Sequence, residues 1–439
     1  MKSFADTAEY LIGTDILHQS PSLFQRLFQN QTAIIIADTN TYEAAGKQVE
    51  EIFKQAGIPQ EKPFIFDDPN LYAEWKYVCQ LEERLSKTEA IPIAVGSGVI
   101  NDLCKLVAHR CSRKYLCIGT AASMDGYTAY GSSITFEGSK QAFDCPAPYG
   151  MLIDSRIAAA APTALSASGY ADLIAKIPAG ADWILADALN IEAILEPAFD
   201  IVQSELKDAL SQPQAIREGN IEATEKLEKG LIYSGFGMQL QHSSRPASGT
   251  EHQFSHLWDM EHHTHMGETV SHGFKVGIGT LATSAFYELL LASPVDTLDV
   301  EQCVREWKSW EETEADIRTL FKGQTEFIQR CVPETKAKYI DKEQLRIELN
   351  TLKAQWPSLS EKLRKQTLPV QQIRESLKMV GSAFEPEQIG ISRAKLKESC
   401  LKVQYMRSRY AIIDLAQRTG YLSTWLEQLF GKDGIWEIK

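Results

Sequence analysis

No apolar run in this 439-residue chain approaches the roughly 20 residues a membrane-crossing helix needs, so no span is expected. The opening MKSFADTAEYLIG carries acidic residues where a secretion signal would be apolar. The eight cysteines (Cys79, Cys104, Cys111, Cys117, Cys145, Cys303, Cys331, Cys400) show no CxxC spacing, which argues for packed, reduced thiols and a cytoplasmic protein. Positive charge is short: 45 Lys and Arg stand against 58 Asp and Glu, a net −13. That balance excludes a general nucleic-acid binder and an anionic membrane partner, while a local basic pocket could still take a small anion. The GxGxxG dinucleotide fingerprint, internal repeats and low-complexity linkers are all missing. Histidine is scarce too, except in one place: seven of nine fall between His242 and His272.

What is present reads as an ordinary globular chain, 44% hydrophobic and 23% charged, long enough for two or three domains. AIIIAD at 33–38 is a continuous apolar run, the pattern of a strand buried on both faces. An amphipathic helix ending at Gly57, a strand in KPFIFDD, a helix over 71–86 and a strand in AIPIAVGSG follow. KYLCIG supplies a fourth strand. This alternation predicts a parallel sheet with helices on both faces. Beyond about Pro162 only helical segments are read. They include GYADLIAKIPAGADWILADAL, GNIEATEKLEKGLIYSGFGMQLQ, EQCVREWKSWEETEADIRTLF and a last helix through CLKVQYMRSRYAIIDLAQRTGYL. The expected architecture is an α/β Rossmann-like nucleotide-binding domain over 1–160 and an all-α domain over 161–439.

Several residues are candidates for chemistry. Asp38 ends a strand, where an acid can accept from an adenosine ribose and repel a 2′-phosphate, or can cap the next helix. Gly96-Ser97-Gly98 stands at a strand-to-helix junction, where backbone can approach a pyrophosphate and a helix N-terminus offers N–H donors. Asp125, in the polar loop TAASMDGYTAYGSS, could bond a substrate hydroxyl or simply form an Asp-Gly turn. His252 and His256 are four apart on one helical face, and His272 precedes a second helix opening. Neutral imidazole is the commonest protein ligand for transition metals, and Asp172 in GYADLIAK is a carboxylate that could complete such a site. His262, His263 and His265 lie in HHTH, a polar loop without helical framing, and are not expected to bind.

Taken in order, GSGVIND, TAASMDG, GYADLIAK, SRPASGTEHQFSH, SHGFKVGIGTL and the later RSRYAIIDLA resemble the sn-glycerol-1-phosphate dehydrogenases. That family sits in the superfamily of glycerol dehydrogenase, iron-containing alcohol dehydrogenases and dehydroquinate synthase. The resemblance implies a dehydroquinate synthase-like fold. Asp172, His252 and His272 match three ligands of one divalent ion, Zn²⁺ or Ni²⁺. It also implies cofactor contacts at Asp38, Gly96, Ser97, Gly98, Asp102, Thr120 and Ser123, with NAD preferred and NADP possible in the family. Asp125 matches the substrate-facing acid. Position 176 is Lys where iron-dependent alcohol dehydrogenases place another histidine, which favours a three-ligand site. The implied reaction is reduction of a triose phosphate, dihydroxyacetone phosphate, to sn-glycerol 1-phosphate, a step of phospholipid metabolism, by a homo-oligomer such as a homodimer. Lys176, Arg245 and Lys275 are candidates for the substrate phosphate. The charged stretch 308–360 looks longer than in compact members and has no implied role.

Three rival readings remain at this point. Glycerol dehydrogenase shares fold and ligands but needs no phosphate pocket, and the basic residues weigh against it. A dehydroquinate synthase-like cyclase would also want lysines and arginines, and its product would distinguish it. A non-catalytic sensor on the same scaffold would have little need of an intact cofactor loop and three intact ligands.

Overall fold

AIIIAD forms a strand one in from an edge of the main sheet. The computed structural model describes residues 6–137 and 139–438; the first five residues of the opening stretch lie outside them. A six-stranded sheet runs in the order β1-β8-β5-β4-β2-β3. Its strands are β1 (Glu9–Gly13), β2 (Ala33–Asp38), β3 (Phe64–Phe66), β4 (Ile91–Gly96), β5 (Leu116–Gly119) and β8 (Gly150–Asp154), and every pairing is parallel. Side chains alternate between two buried faces, as a doubly covered sheet requires. Ile34, Ile36, Ala94, Cys117 and Met151 pack into one core, and Ala33, Ile35, Ile93, Val95 and Ile118 into the other.

Four of the six strands are those expected from the sequence. The two missed, β1 and β8, lie beside polar or proline-rich sequence (EYLIG after ADTA, GMLID after PAPY), which obscures the apolar run that announces a strand. The antiparallel pair β6 (Ser132–Phe136) and β7 (Ser139–Phe143) was not anticipated either; its first two residues end the stretch read as a polar loop.

The remainder is helical, with one departure among the described residues: a two-stranded hairpin, β9 (Thr264–His265) and β10 (Glu268–Thr269). Met266 and Gly267 turn it with φ of 54° and 86°, the left-handed pair a two-residue hairpin loop demands. Three expected helices are broken. GYADLIAKIPAGADWILADAL divides at Ala175 into Thr163–Ile174 and Lys176–Ala188, because Pro178 has no N–H for the Ile174 carbonyl. The stretch from Val300 divides where Ser309 and Glu312 form a capping box that starts a new helix at Trp310. The last one ends at Lys402, passes through a 3₁₀ turn, and resumes only at Ile412.

The chain divides into two compact units. The first comprises residues 1–173, 196–247 and 379–382, and carries the whole parallel sheet; the second comprises 174–195, 248–378 and 383–439. No helix among the described residues is long and apolar enough to cross a membrane.

Candidate functional site

The carboxyl ends of the central strands lie level. Gly96 pairs in register with Gly119, and Asp38 lies two residues beyond the Ile36–Ala94 pair. Strand order reverses between β2 and β4, which is where open α/β sheets receive ligands. Ser97 follows β4 as the N-cap of the helix Gly98–Arg110, with no side-chain cap bond, so the first N–H groups of a 13-residue helix face that edge. A side chain at Gly98 would come within 2.7 Å of the Met124 methyl, the mobile end of a residue of the 120–131 loop, which would have to swing aside. Asp38 accepts hydrogen bonds from Asn40 N (2.8 Å) and Thr41 N (2.9 Å), and is therefore a helix cap whatever else it contacts.

Thr120, Ser123 and Asp125 sit on the loop that leaves β5. Thr120 N donates to Gly96 O at 3.1 Å, and the Ser123 hydroxyl lies 3.4 Å from that of Tyr127. The loop has an anchor the sequence reading missed. Lys105, fully buried, donates to the carbonyls of Gly126 (2.8 Å), Ala129 (3.0 Å) and Gly131 (3.0 Å). Its neighbour Asp102 is pushed up to about 6 by burial, against the pull of Lys105 and Lys140. The available signal was position: Lys105 lies one helical turn below Asn101, whose amide also reaches Gly126 O and Tyr127 O.

Asp172 is buried on the helix Thr163–Ile174, and one carboxylate oxygen accepts from Asp125 N at 3.1 Å. The Asp125 carboxylate in turn accepts from the Ser234 hydroxyl at 2.8 Å. His252 lies on the helix Thr250–Met260 and His272 opens the helix His272–Ala292, capped by Ser271. The two imidazole centroids are 5.4 Å apart. A Cβ at Gly279 would stand 2.3 Å from Glu251 O, so these helices meet closely only because position 279 is glycine. Asp172, His252 and His272 each offer a ligand atom within 4.8 Å of the others.

The donor set fits a divalent cation: one carboxylate and two imidazoles whose Nδ1 atoms are both engaged elsewhere. His252 Nδ1 lies 2.8 Å from Glu251 Oε1, and His272 Nδ1 lies 3.2 Å from Ser255 Oγ. Such partners fix the ring so that Nε2 is the atom a cation would meet. Glu251 is buried and also accepts from Gly249 N at 2.5 Å. Behind it, buried Asp182 accepts from Thr250 N (2.8 Å), Thr250 Oγ1 (3.0 Å), Tyr287 Oη (2.6 Å) and Ile412 N (2.8 Å). Neither Glu251 nor Asp182 was singled out from sequence. Outside this cluster, His263 Nε2 lies 2.6 Å from Ile389 O, and the His265 ring packs on Gly390.

The basic candidates are all buried: Lys176, Arg245 and Lys275. Lys275 is ion-paired with Asp259 across the two histidine-bearing helices. Two further guanidinium groups, both in RSRYAIIDLA, converge on the residue that starts SGTEH: Arg407 Nη1 lies 3.4 Å from Ser248 Oγ, and Arg409 Nη1 donates to Ser248 O at 2.5 Å.

Residues 11–162 match the family described as iron-containing alcohol dehydrogenase. The glycerol-1-phosphate dehydrogenase (NAD(P)+) of Halalkalibacterium halodurans is 31% identical over 269 residues, covering 61% of this chain and 67% of the relative. That of Pyrococcus furiosus is 31% identical over 277 residues, covering 62% and 76%. Among solved structures, a probable glycerol dehydrogenase from Sinorhizobium meliloti has a TM-score of 0.60 at 13% identity, covering 97% of this chain and 98% of that one. The glycerol dehydrogenase of Schizosaccharomyces pombe has a TM-score of 0.59 at 15% identity, covering 98% and 93%. Those two likenesses carry the fold, and the identity and span of the sequence relatives carry more: the chain belongs to the glycerol-1-phosphate dehydrogenase family.

Proposed function

We propose that the chain reduces dihydroxyacetone phosphate to sn-glycerol 1-phosphate, and catalyses the reverse, using NAD(H) or NADP(H) and one divalent cation, Zn²⁺ or Ni²⁺. The observation that carries this reading is the convergence of Asp172, His252 and His272, with both imidazoles oriented from behind. Family membership supports the substrate over glycerol or a cyclase substrate. When bound, the cation would polarise the C2 carbonyl and the reduced nicotinamide would supply the hydride.

The chain's own residues supply the rest. Gly96, Ser97, Gly98 and Asp102 would hold the cofactor phosphates, and Thr120 and Ser123 the nicotinamide side. Asp38 would take the ribose and bias the site toward NADH. Asp125, held by Ser234, would accept a hydrogen bond from the substrate hydroxyl while its own N–H keeps Asp172 aligned. Lys176, Arg245 and Lys275 remain phosphate candidates, joined by Arg407 and Arg409; Lys275 would have to share itself with Asp259. Functionally, residues 1–160 would bind nucleotide, and 161–439 metal and substrate. A cytoplasmic homo-oligomer is the expected setting. The test is anaerobic NADH oxidation with dihydroxyacetone phosphate against dihydroxyacetone, with chiral analysis of the product. Preference for the free ketone would favour a glycerol dehydrogenase, and no oxidation with either substrate would defeat the reading.

A further inference from the structure

Asp125 lies in a turn over residues 125–128, and that turn is seated on the helix Ile221–Gln241. Ile232, Gly235 and Gln239, spaced three and four apart, share one face of the helix. A Cβ at Gly235 would run into Thr128 Oγ1 and would stand 2.9 Å from both Asp125 O and Thr128 C. Both ends of the turn therefore rest on helix backbone, and glycine is what leaves room for them. The buried Thr128 hydroxyl donates to Ile232 O at 2.7 Å. Ser234, beside that face, holds the Asp125 carboxylate at 2.8 Å.

Gln239 fastens the far end of the turn. Its Nε2 donates to Thr128 O at 2.6 Å and to Thr7 Oγ1 at 3.0 Å, and its Oε1 accepts from Asp6 N at 3.2 Å. A carbonyl cannot donate and a backbone N–H cannot accept, so the amide has one orientation. Thr7 in turn donates to Pro148 O at 2.8 Å, and Ala8 N donates to Tyr149 O at 2.9 Å, just ahead of the pairing of β1 with β8. Thr7, Thr128 and Gln239 are all fully buried. A strap over residues 6–8 thus ties the amide to the sheet, and the amide ties the turn.

Lys105, on the helix Gly98–Arg110, grips the carbonyls of Gly126, Ala129 and Gly131 and so sets where the loop runs. The helix Ile221–Gln241 acts on the turn that aims Asp125. We propose that Thr128 and Gln239 are positioning residues for Asp125, holding the turn so that its carboxylate faces the substrate hydroxyl. This rests on the reading of Asp125 as the substrate-facing acid. A carboxylate free to turn away would offer its hydrogen bond for only part of the time, and binding would weaken by that fraction.

The experiment compares Thr128→Val, Thr128→Ser and Gln239→Met in the full chain. Valine and methionine keep size and remove the donors, and serine restores the hydroxyl. Amide hydrogen exchange over 123–131 should quicken roughly threefold to tenfold in Thr128→Val and Gln239→Met, and return toward wild type in Thr128→Ser. The KM for dihydroxyacetone phosphate should rise by roughly the same factor in the first two, while kcat and the KM for NADH change less than about twofold. In an Asp125→Ala background neither substitution should raise that KM further, because the effect passes through the carboxylate. A rise that persists there, or an equal rise in the KM for NADH, would mean a general loosening of the loop and overturn the proposal. Unchanged exchange in the folded variants would overturn it whether or not the ketone is reduced. If circular dichroism shows one variant misfolded, the other carries the test. Absence of turnover in the wild type would instead defeat the proposed reaction, and exchange would still decide whether these two residues hold the turn.

Discussion

Two short segments flanking the candidate chemistry are immobilised by opposite means. The loop over residues 120–131 is gathered by a buried ammonium: Lys105 collects three carbonyls. The turn over 248–252 is gathered by buried carboxylates, with Asp182 and Glu251 collecting N–H and hydroxyl donors. A loop made of small residues and glycines exposes carbonyls that a cation can satisfy. A turn that starts a helix exposes N–H groups that an anion can satisfy. The loop is thus fixed by one ammonium and the turn by two carboxylates, and the loss of any of these leaves buried polar groups unpaired.

The largest effect is expected from Asp182→Ala, which orphans four donors in a dry interior. A loss on the order of 3–5 kcal/mol is expected in urea unfolding, together with loss of bound metal. Unchanged stability would mean that water replaces the carboxylate. Lys105→Met keeps the aliphatic stem and removes the donors, and should cost on the order of 2–3 kcal/mol. The contrast lies in the second readout: KM for the cofactor should rise in Lys105→Met while metal content stays at the wild-type level. Metal loss there would break the division between the two segments.

How much of this was legible beforehand follows the same division. Metal candidates announced themselves, because histidine is rare elsewhere and Asp172 sits in a recognisable helix. Four of the six sheet strands, β2 to β5, were legible from continuous apolar runs. The supporting charges were not: Lys105 reads as an ordinary helix lysine, and Asp182 as one acid in a mixed helix. Only their burial among backbone groups of distant segments distinguishes them, and sequence spacing carries no trace of that. Arg407 and Arg409 were likewise absorbed into a supposed continuous helix, whereas a loop over 406–411 brings them to Ser248.

Glu251→Gln sharpens the comparison within the second segment. The amide keeps size and can still accept from Gly249, but it no longer offers a charge to His252 Nδ1. Metal affinity should fall roughly 10–100-fold, as for other partners that orient a ligand imidazole. Competition with a chelator measures this without recourse to turnover. An affinity equal to wild type would show that the ring is held by packing alone.

The last effect is read through pH and concerns a third buried acid, which lacks the donors that surround Asp182. Glu228, on the helix Ile221–Gln241, meets the Ser155 hydroxyl at 2.6 Å, and its other oxygen has no partner among the described residues. Burial pushes it up to about 8, with Ser155 opposing and Glu225 and Asp154 reinforcing. The folded state therefore holds a proton that the unfolded chain, titrating near the ordinary glutamate value, gives up earlier. Stability from this group is complete below about 4.5 and is lost as pH rises toward 8, with a limiting slope of roughly 1.4 kcal/mol per pH unit. Glu228→Gln replaces the protonated acid by a neutral isostere and should flatten that slope. The variant should match wild type near pH 5 and unfold at a higher temperature than wild type near pH 8.5. Parallel melting curves across that range would show that Glu228 stays charged, and that Asp182's set of four donors is more than a buried carboxylate needs.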